Sequence, residues 1–281
     1  MQTQSSLRNI CWIYLSLVPF LVFIVAFTFG HSRYQIYLPI WFVNACLMVA
    51  AAWALGLHVF KSPDPGKKNY GVIGMFLFAP WIFISVFGGM GPLPPTMKAW
   101  LDSITEQHIR YIILVVCGVV LTAGFALLWD KLRREGEHIY SILGFTSAMI
   151  KIPLFILSMI YLGGYLIESF KIFVASDPEK RPDWYLPLRT LFSAISFVEV
   201  GATWLAGAAF AASIRKAGWV KPVTARIYIL FSLLGFACSL LPTDAPGALN
   251  ILSYLFSIPA FSLIIPYLMG VNIIRRAGQD I

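Results

Sequence analysis

Residues 139–167 read IYSILGFTSAMIKIPLFILSMIYLGGYLI, an apolar run with a single charged residue, Lys151, near its middle. A helix needs about 20 apolar residues to cross the hydrocarbon of a bilayer, so this run can span it. Working outward, similar runs recur at Ile10 to Phe29, Ile36 to Leu57, Tyr70 to Phe87, Tyr111 to Trp129, Leu186 to Ala212, Ile227 to Leu241 and Ala248 to Ile273. Together they predict an all-α, polytopic integral membrane bundle of about eight transmembrane helices. The third and seventh runs are short, and the fifth and sixth are long enough to tilt or protrude.

Composition agrees. The 281 residues are 59% hydrophobic and 12% charged, whereas soluble domains carry about 25% charged residues. Eight spans of about 20 residues leave only loops and tails, so residues 1–281 form a single transmembrane domain. Cys11, Cys46, Cys117 and Cys238 all fall inside apolar runs, with no Cys-x-x-Cys spacing, which leaves no disulfide framework. The first apolar run is longer than a signal-peptide core and reads as a span. No Asn-x-Ser/Thr acceptor occurs, which favours a bacterial cytoplasmic (inner) membrane over a secretory one.

Positive loops resist translocation, so the distribution of Lys and Arg orients the chain. With the N-terminus inside, one side holds thirteen basic and five acidic residues, the other seven of each. Both termini are thus expected in the cytoplasm. The formal charge of +8 is an inner-face excess facing anionic lipid and calls for no nucleic acid. On the outer side Gly88 to Gln107 predicts an irregular turn and a short interfacial helix anchored by Trp100, with a re-entrant loop as the alternative. Trp184 and Tyr185 fit an aromatic belt. Ser213 to Gly218 after the sixth span resembles Asn272 to Gly278 after the eighth, a faint echo that positive-inside punctuation also explains.

Ionisable residues within a span are costly, about 2.5 to 3.5 kcal/mol each on insertion scales, and mark function by default. Only Lys151 and Glu199 qualify. Each lies about a dozen residues into its helix, roughly 18 to 20 Å deep, and consecutive antiparallel helices are usually neighbours, so a midplane Lys151–Glu199 pair is expected. Ser141, Gly144, Ala148 and Ser158 share the face of Lys151, while Ser196, Ala202, Thr203 and Ala206 share that of Glu199. Small residues of this kind face a helix partner. Pro153 frees the carbonyl of Met149 for a ligand or a neighbouring hydroxyl. Ser147, Thr203 and Asn44 complete the expected neutral ligands, although Asn44 also suits an interhelical structural bond. Pro80, Pro259 and Pro266 predict kinks.

Catalytic motifs are lacking. There is no His-Glu-x-x-His, Gly-x-Ser-x-Gly or Gly-x-x-x-x-Gly-Lys, and the four histidines stand at helix ends. No cofactor or metal is implied. The leading expectation is a small secondary transporter or ion-coupled permease, with Lys151, Glu199, Ser147, Thr203 and Asn44 binding a small anionic or zwitterionic solute. A homodimer suits its size. The alternatives are a non-catalytic membrane subunit or sensor, in which the buried pair is structural and loops dock a partner subunit, and a lipid enzyme using His108, Glu106 and Asp102 at the outer face.

Overall fold

A computed structural model describes residues 2–175, 185–241 and 246–279, and among them every regular element is helical. The helices are α1 (Gln2–Phe29), α2 (Tyr34–Leu55), α3 (Pro65–Ile84), α4 (Phe87–Met90), α5 (Met97–Asp102), α6 (Ile104–Arg134) and α7 (Ile139–Ile160). They are followed by α8 (Leu166–Ala175), α9 (Tyr185–Lys216), α10 (Pro222–Ser239), α11 (Ala248–Ser257), α12 (Pro259–Ser262) and α13 (Ile264–Ala277). Seven of the described helical stretches are long and apolar enough to cross a membrane, and an eighth crossing is counted if the bent pair α11 with α12–α13 is one span. Trp184, Lys180 and Arg181 lie outside the described residues.

Local chemistry sets the helix ends. Asp64 caps α3 by accepting from the Gly66 amide at 2.8 Å, with Pro65 in the first turn, and Thr96 caps α5 by accepting from the Ala99 amide at 3.2 Å. After α6, Gly136 takes a left-handed φ of 86°. The Glu137 amide then donates back to Leu132 O at 3.1 Å and turns the chain into α7. Gly218 has a φ of 70° after α9, whereas Gly278 after α13 has a φ of −81°. The two similar sequence endings therefore terminate differently, and Arg276 joins them by donating to Gly218 O at 2.8 Å.

Burial separates centre from rim. In α3 and α9, 61% and 56% of the apolar window is buried in protein, against 22% in α1 and in α2, so α1 and α2 turn their apolar side chains outward. α13 is almost wholly buried and seats against α3 at paired glycines. A Cβ on Gly270 would stand 3.0 Å from Gly74 O, and one on Gly74 would stand 3.1 Å from Gly270 O. Backbones meet here as they do at small-residue crossings in membranes.

The eighth span is not a kinked rod. α11 and α12–α13 meet at an angle of 74° around Ile258, where Pro259 cannot donate to the preceding turn. Two indoles bind carbonyls around the break: Trp204 donates to Phe256 O at 3.1 Å and Trp81 to Leu263 O at 3.0 Å. In the connection between α4 and α6 Trp100 is buried, stacked on Tyr111 and edge-on to Phe170, with its indole donating to Pro94 O at 2.8 Å. The expected membrane anchor is thus a packing residue inside the protein. Tyr185 is also buried, edge-on to Phe173.

Charged groups between helices stitch the positive face. Glu135 accepts from Tyr70 Oη and Trp219 Nε1, each at 2.6 Å. Glu137 is 2% exposed and accepts from Ser213 Oγ and from the amides of Tyr140 and Ser141 at 3.1 and 2.8 Å. Burial by itself would push the Glu137 carboxyl up, but those hydrogen bonds and the Lys216 charge outweigh it and leave the group below its ordinary 4.5. A carboxyl depressed in the folded state adds stability that is fully present above its unfolded value and lost as pH falls through its folded one. The melting temperature in detergent should therefore fall as pH drops below 4.5, and Glu137→Gln should be less stable at neutral pH with a shallower acid decline. At the α3–α13 crossing Gly270→Leu should lower stability by about 1–3 kcal/mol, the usual cost of overpacking, read by the same melting experiment.

Candidate functional site

α7 and α9 form the most extensive helix pair in the fold. Ser141, Gly144, Ala148, Lys151 and Ser158 of α7 are all buried, as are Glu199, Thr203 and Ala206 of α9, while Ser196 and Ala202 are partly so. Gly144 lets α9 approach, since a Cβ there would stand 2.9 Å from the Phe210 ring. Further along, Tyr161 stacks on Phe192 with centroids 3.7 Å apart. This antiparallel register sets Lys151 level with Thr203 and Glu199 level with Phe155, about one helical turn, or roughly 5 Å of rise, apart.

Lys151 and Glu199 are each 1% exposed. Among the described residues, neither Lys151 Nζ nor either oxygen of Glu199 has a hydrogen-bond partner. Each lies within the other's field, and Lys151 Nζ sits 4.8 Å from the centre of the Phe155 ring, a cation–π contact. The expected pair is thus two charges facing one seam without a hydrogen bond between them. The ammonium rests on an aromatic face because Phe155, one turn beyond Lys151, occupies the level of the carboxylate.

The neutral residues expected around them divide. Thr203 is buried beside the charges, but its hydroxyl donates to the Glu199 carbonyl at 2.8 Å, one turn back on its own helix. Ser147 is half-buried on α7. Asn44 does not join the set: its amide bonds Ser85 Oγ at 3.3 Å, and its oxygen accepts from Tyr14 Oη at 2.9 Å, tying α1, α2 and α3 together. Pro153 lies on the exposed side of α7, so the interruption it makes faces away from the charged seam.

Above the charges, a cavity of about 990 Å³ opens between α5, the α7–α8 helix, α9, α10 and α11. Its wall carries many hydroxyls, including Ser158, Ser193, Ser196, Ser239, Ser253 and Ser257, with Asn250 and Arg189. Ser158 Oγ is buried without a partner among the described residues. Ser196 and Val200 flank Glu199 on α9, and Ser158 stands two turns beyond Lys151, so the charges lie just beneath this cavity without lining it. One wall is a π-helical turn, Tyr161–Tyr165, between α7 and α8. Its Gly163 lies against α6, where a Cβ would come 2.5 Å from Tyr111 Cβ. Such turns are frequent at functional sites.

Two features escaped the sequence. The first is the cavity, whose hydroxyls come from distant helices and share no motif. The second is Arg110, which precedes the fourth apolar run in the sequence but is 5% exposed within α6; a helix beginning at Ile104 rather than Tyr111 carries it inside. Of the acids expected at the outer face, Glu106 binds His31 at 2.7 Å and Tyr37 at 3.3 Å, and Asp102 is exposed on α5. Among the described residues no three His, Cys, Asp or Glu side chains cluster to hold a metal ion. Comparison with protein-family models, curated proteins and solved structures finds no match to this chain.

A lone buried charge is costly, and breaking a buried pair from one side costs about 3–5 kcal/mol. Lys151→Met and Glu199→Gln should each destabilise the protein, and the double variant should lose less than the two losses added, with a coupling of about 0.5–3 kcal/mol. A double-mutant cycle of melting temperatures in mild detergent measures it. Additive losses would show that the two charges act independently.

Proposed function

We propose that this membrane protein is a small secondary transporter or ion-coupled permease, with the hydroxyl-lined cavity as its vestibule and Lys151 and Glu199 as its solute site. In this reading both termini face the cytoplasm of a bacterial inner membrane, and two copies assemble as a homodimer. The observation that carries it is a buried ammonium and a buried carboxylate, neither hydrogen-bonded among the described residues, beneath a cavity of about 990 Å³. Apolar replacements of a buried ion pair are often neutral or stabilising. Two charges without hydrogen bonds are a still poorer choice for stability alone, and a poised donor and acceptor suit a solute that brings both. A zwitterion or a small anion with its own polar group meets that description. Ser158 extends the polar surface between charge and cavity.

One contact favours a second reading. The Phe155 ring already holds the Lys151 ammonium, which would let the charges serve only to register α7 against α9 in a non-catalytic subunit. Reconstituted proteoliposomes separate the two. The purified protein should accumulate or exchange at least one labelled compound from a panel of amino acids, betaines and small carboxylates. Lys151→Met should abolish that flux while the protein remains folded by size-exclusion chromatography. Unaltered flux in folded Lys151→Met and Glu199→Gln proteins would remove the charges from the transport path.

A further inference from the structure

A second cavity of about 220 Å³ lies beside the first, and the two share Tyr254, Ser257 and Pro259 at the broken span. Its walls are otherwise mainly apolar, with Phe23, Trp81 and Leu114 among them, and its one charged wall residue is Arg110. The guanidinium is held firmly: Nη2 donates to Met90 O at 3.2 Å and Gly91 O at 2.9 Å, and the group lies 5.5 Å from the centre of the Phe87 ring. Its Nε has no partner among the described residues. Neither has the hydroxyl of the adjoining Tyr111, a residue that is 4% exposed and lines the same cavity. Glu106, one turn earlier, is engaged by His31 and Tyr37.

We infer that this cavity binds a single-chain amphiphile, its alkyl chain among the apolar side chains and its carboxylate on Arg110 and Tyr111. Two buried N–H and O–H donors without acceptors call for a ligand that brings acceptors, because an unmade buried hydrogen bond costs more than a made one contributes. A carboxylate matches the edge of a guanidinium and adds charge. The volume, below the roughly 300 Å³ at which pockets for drug-sized molecules begin, suits one chain rather than a two-chain phospholipid. Removing an alkyl chain from water supplies the remaining affinity. This site is independent of the transport reading, because it uses neither Lys151 nor Glu199.

The test is a melting-temperature titration of the full-length protein in a neutral detergent with decanoate, decanol, decyl phosphate and acetate. Decanoate should raise the melting temperature saturably, with decanol and acetate giving no comparable rise. Arg110→Gln should weaken the apparent affinity for decanoate by roughly tenfold or more. Because Arg110 also binds two backbone carbonyls, Tyr111→Phe is the second variant: it removes only an unpartnered hydroxyl, so it should melt no lower than wild type yet respond more weakly to decanoate. Equal stabilisation by decanol and decanoate, or an unchanged decanoate response in both variants, would overturn the proposal. A response to decyl phosphate without one to decanoate would overturn the carboxylate assignment.

Discussion

Backbone amides and carbonyls inside a membrane protein must find partners within the protein, and the break between α11 and α12–α13 is where that demand is most severe. Pro259 ends one ladder of hydrogen bonds, and the chain turns by 74° before the next begins. Trp204 of α9 and Trp81 of α3 answer it by donating to Phe256 O and Leu263 O. Those two bonds anchor the broken span to the two most buried long helices. Because the break is held open rather than closed by packing, Tyr254, Ser257 and Pro259 become the shared wall of both cavities.

α13 then serves as the central post. Gly74 and Gly270 let it meet α3 backbone to backbone, and polar side chains tie it to its other neighbours. Tyr267 Oη donates to Leu15 O at 2.7 Å, and Asn272 donates to Tyr228 Oη at 2.6 Å while accepting from Trp12 Nε1 at 3.3 Å. Around that post the α7–α9 seam does the opposite work, keeping charge inside. Its small residues bring the helices close, and its register leaves Lys151 and Glu199 about one turn apart, with the Phe155 ring at the level of the carboxylate.

Much of this was legible in the residues. Ser141, Gly144, Ala148, Lys151 and Ser158 follow a helical spacing, and all five are buried as that spacing implies. Pro259 announced a disturbed eighth span, but its sharpness depends on Trp81 and Trp204, which are distant in sequence. Asn44 was ambiguous because an amide in a span suits either a ligand or a strut, and only its neighbours Tyr14 and Ser85 make it a strut. The burial of Arg110 was not legible because hydropathy starts a helix where the apolar run starts, whereas α6 begins earlier, at Ile104, with a polar first turn.

By itself the sequence determined that the chain is a helical membrane bundle, which segments are long and apolar enough to cross, and that two charges lie within them, because hydrophobic length and helical periodicity are local properties. Tertiary structure decided what those charges meet. Whether Lys151 reaches Glu199 or rests on Phe155, whether Arg110 faces water or an apolar cavity, and whether the serines of four separate elements line one space all depend on the register and tilt between helices. Those are set by packing at glycine crossings and by indole bonds across a broken span, contacts between residues too far apart in the chain for any local pattern to encode.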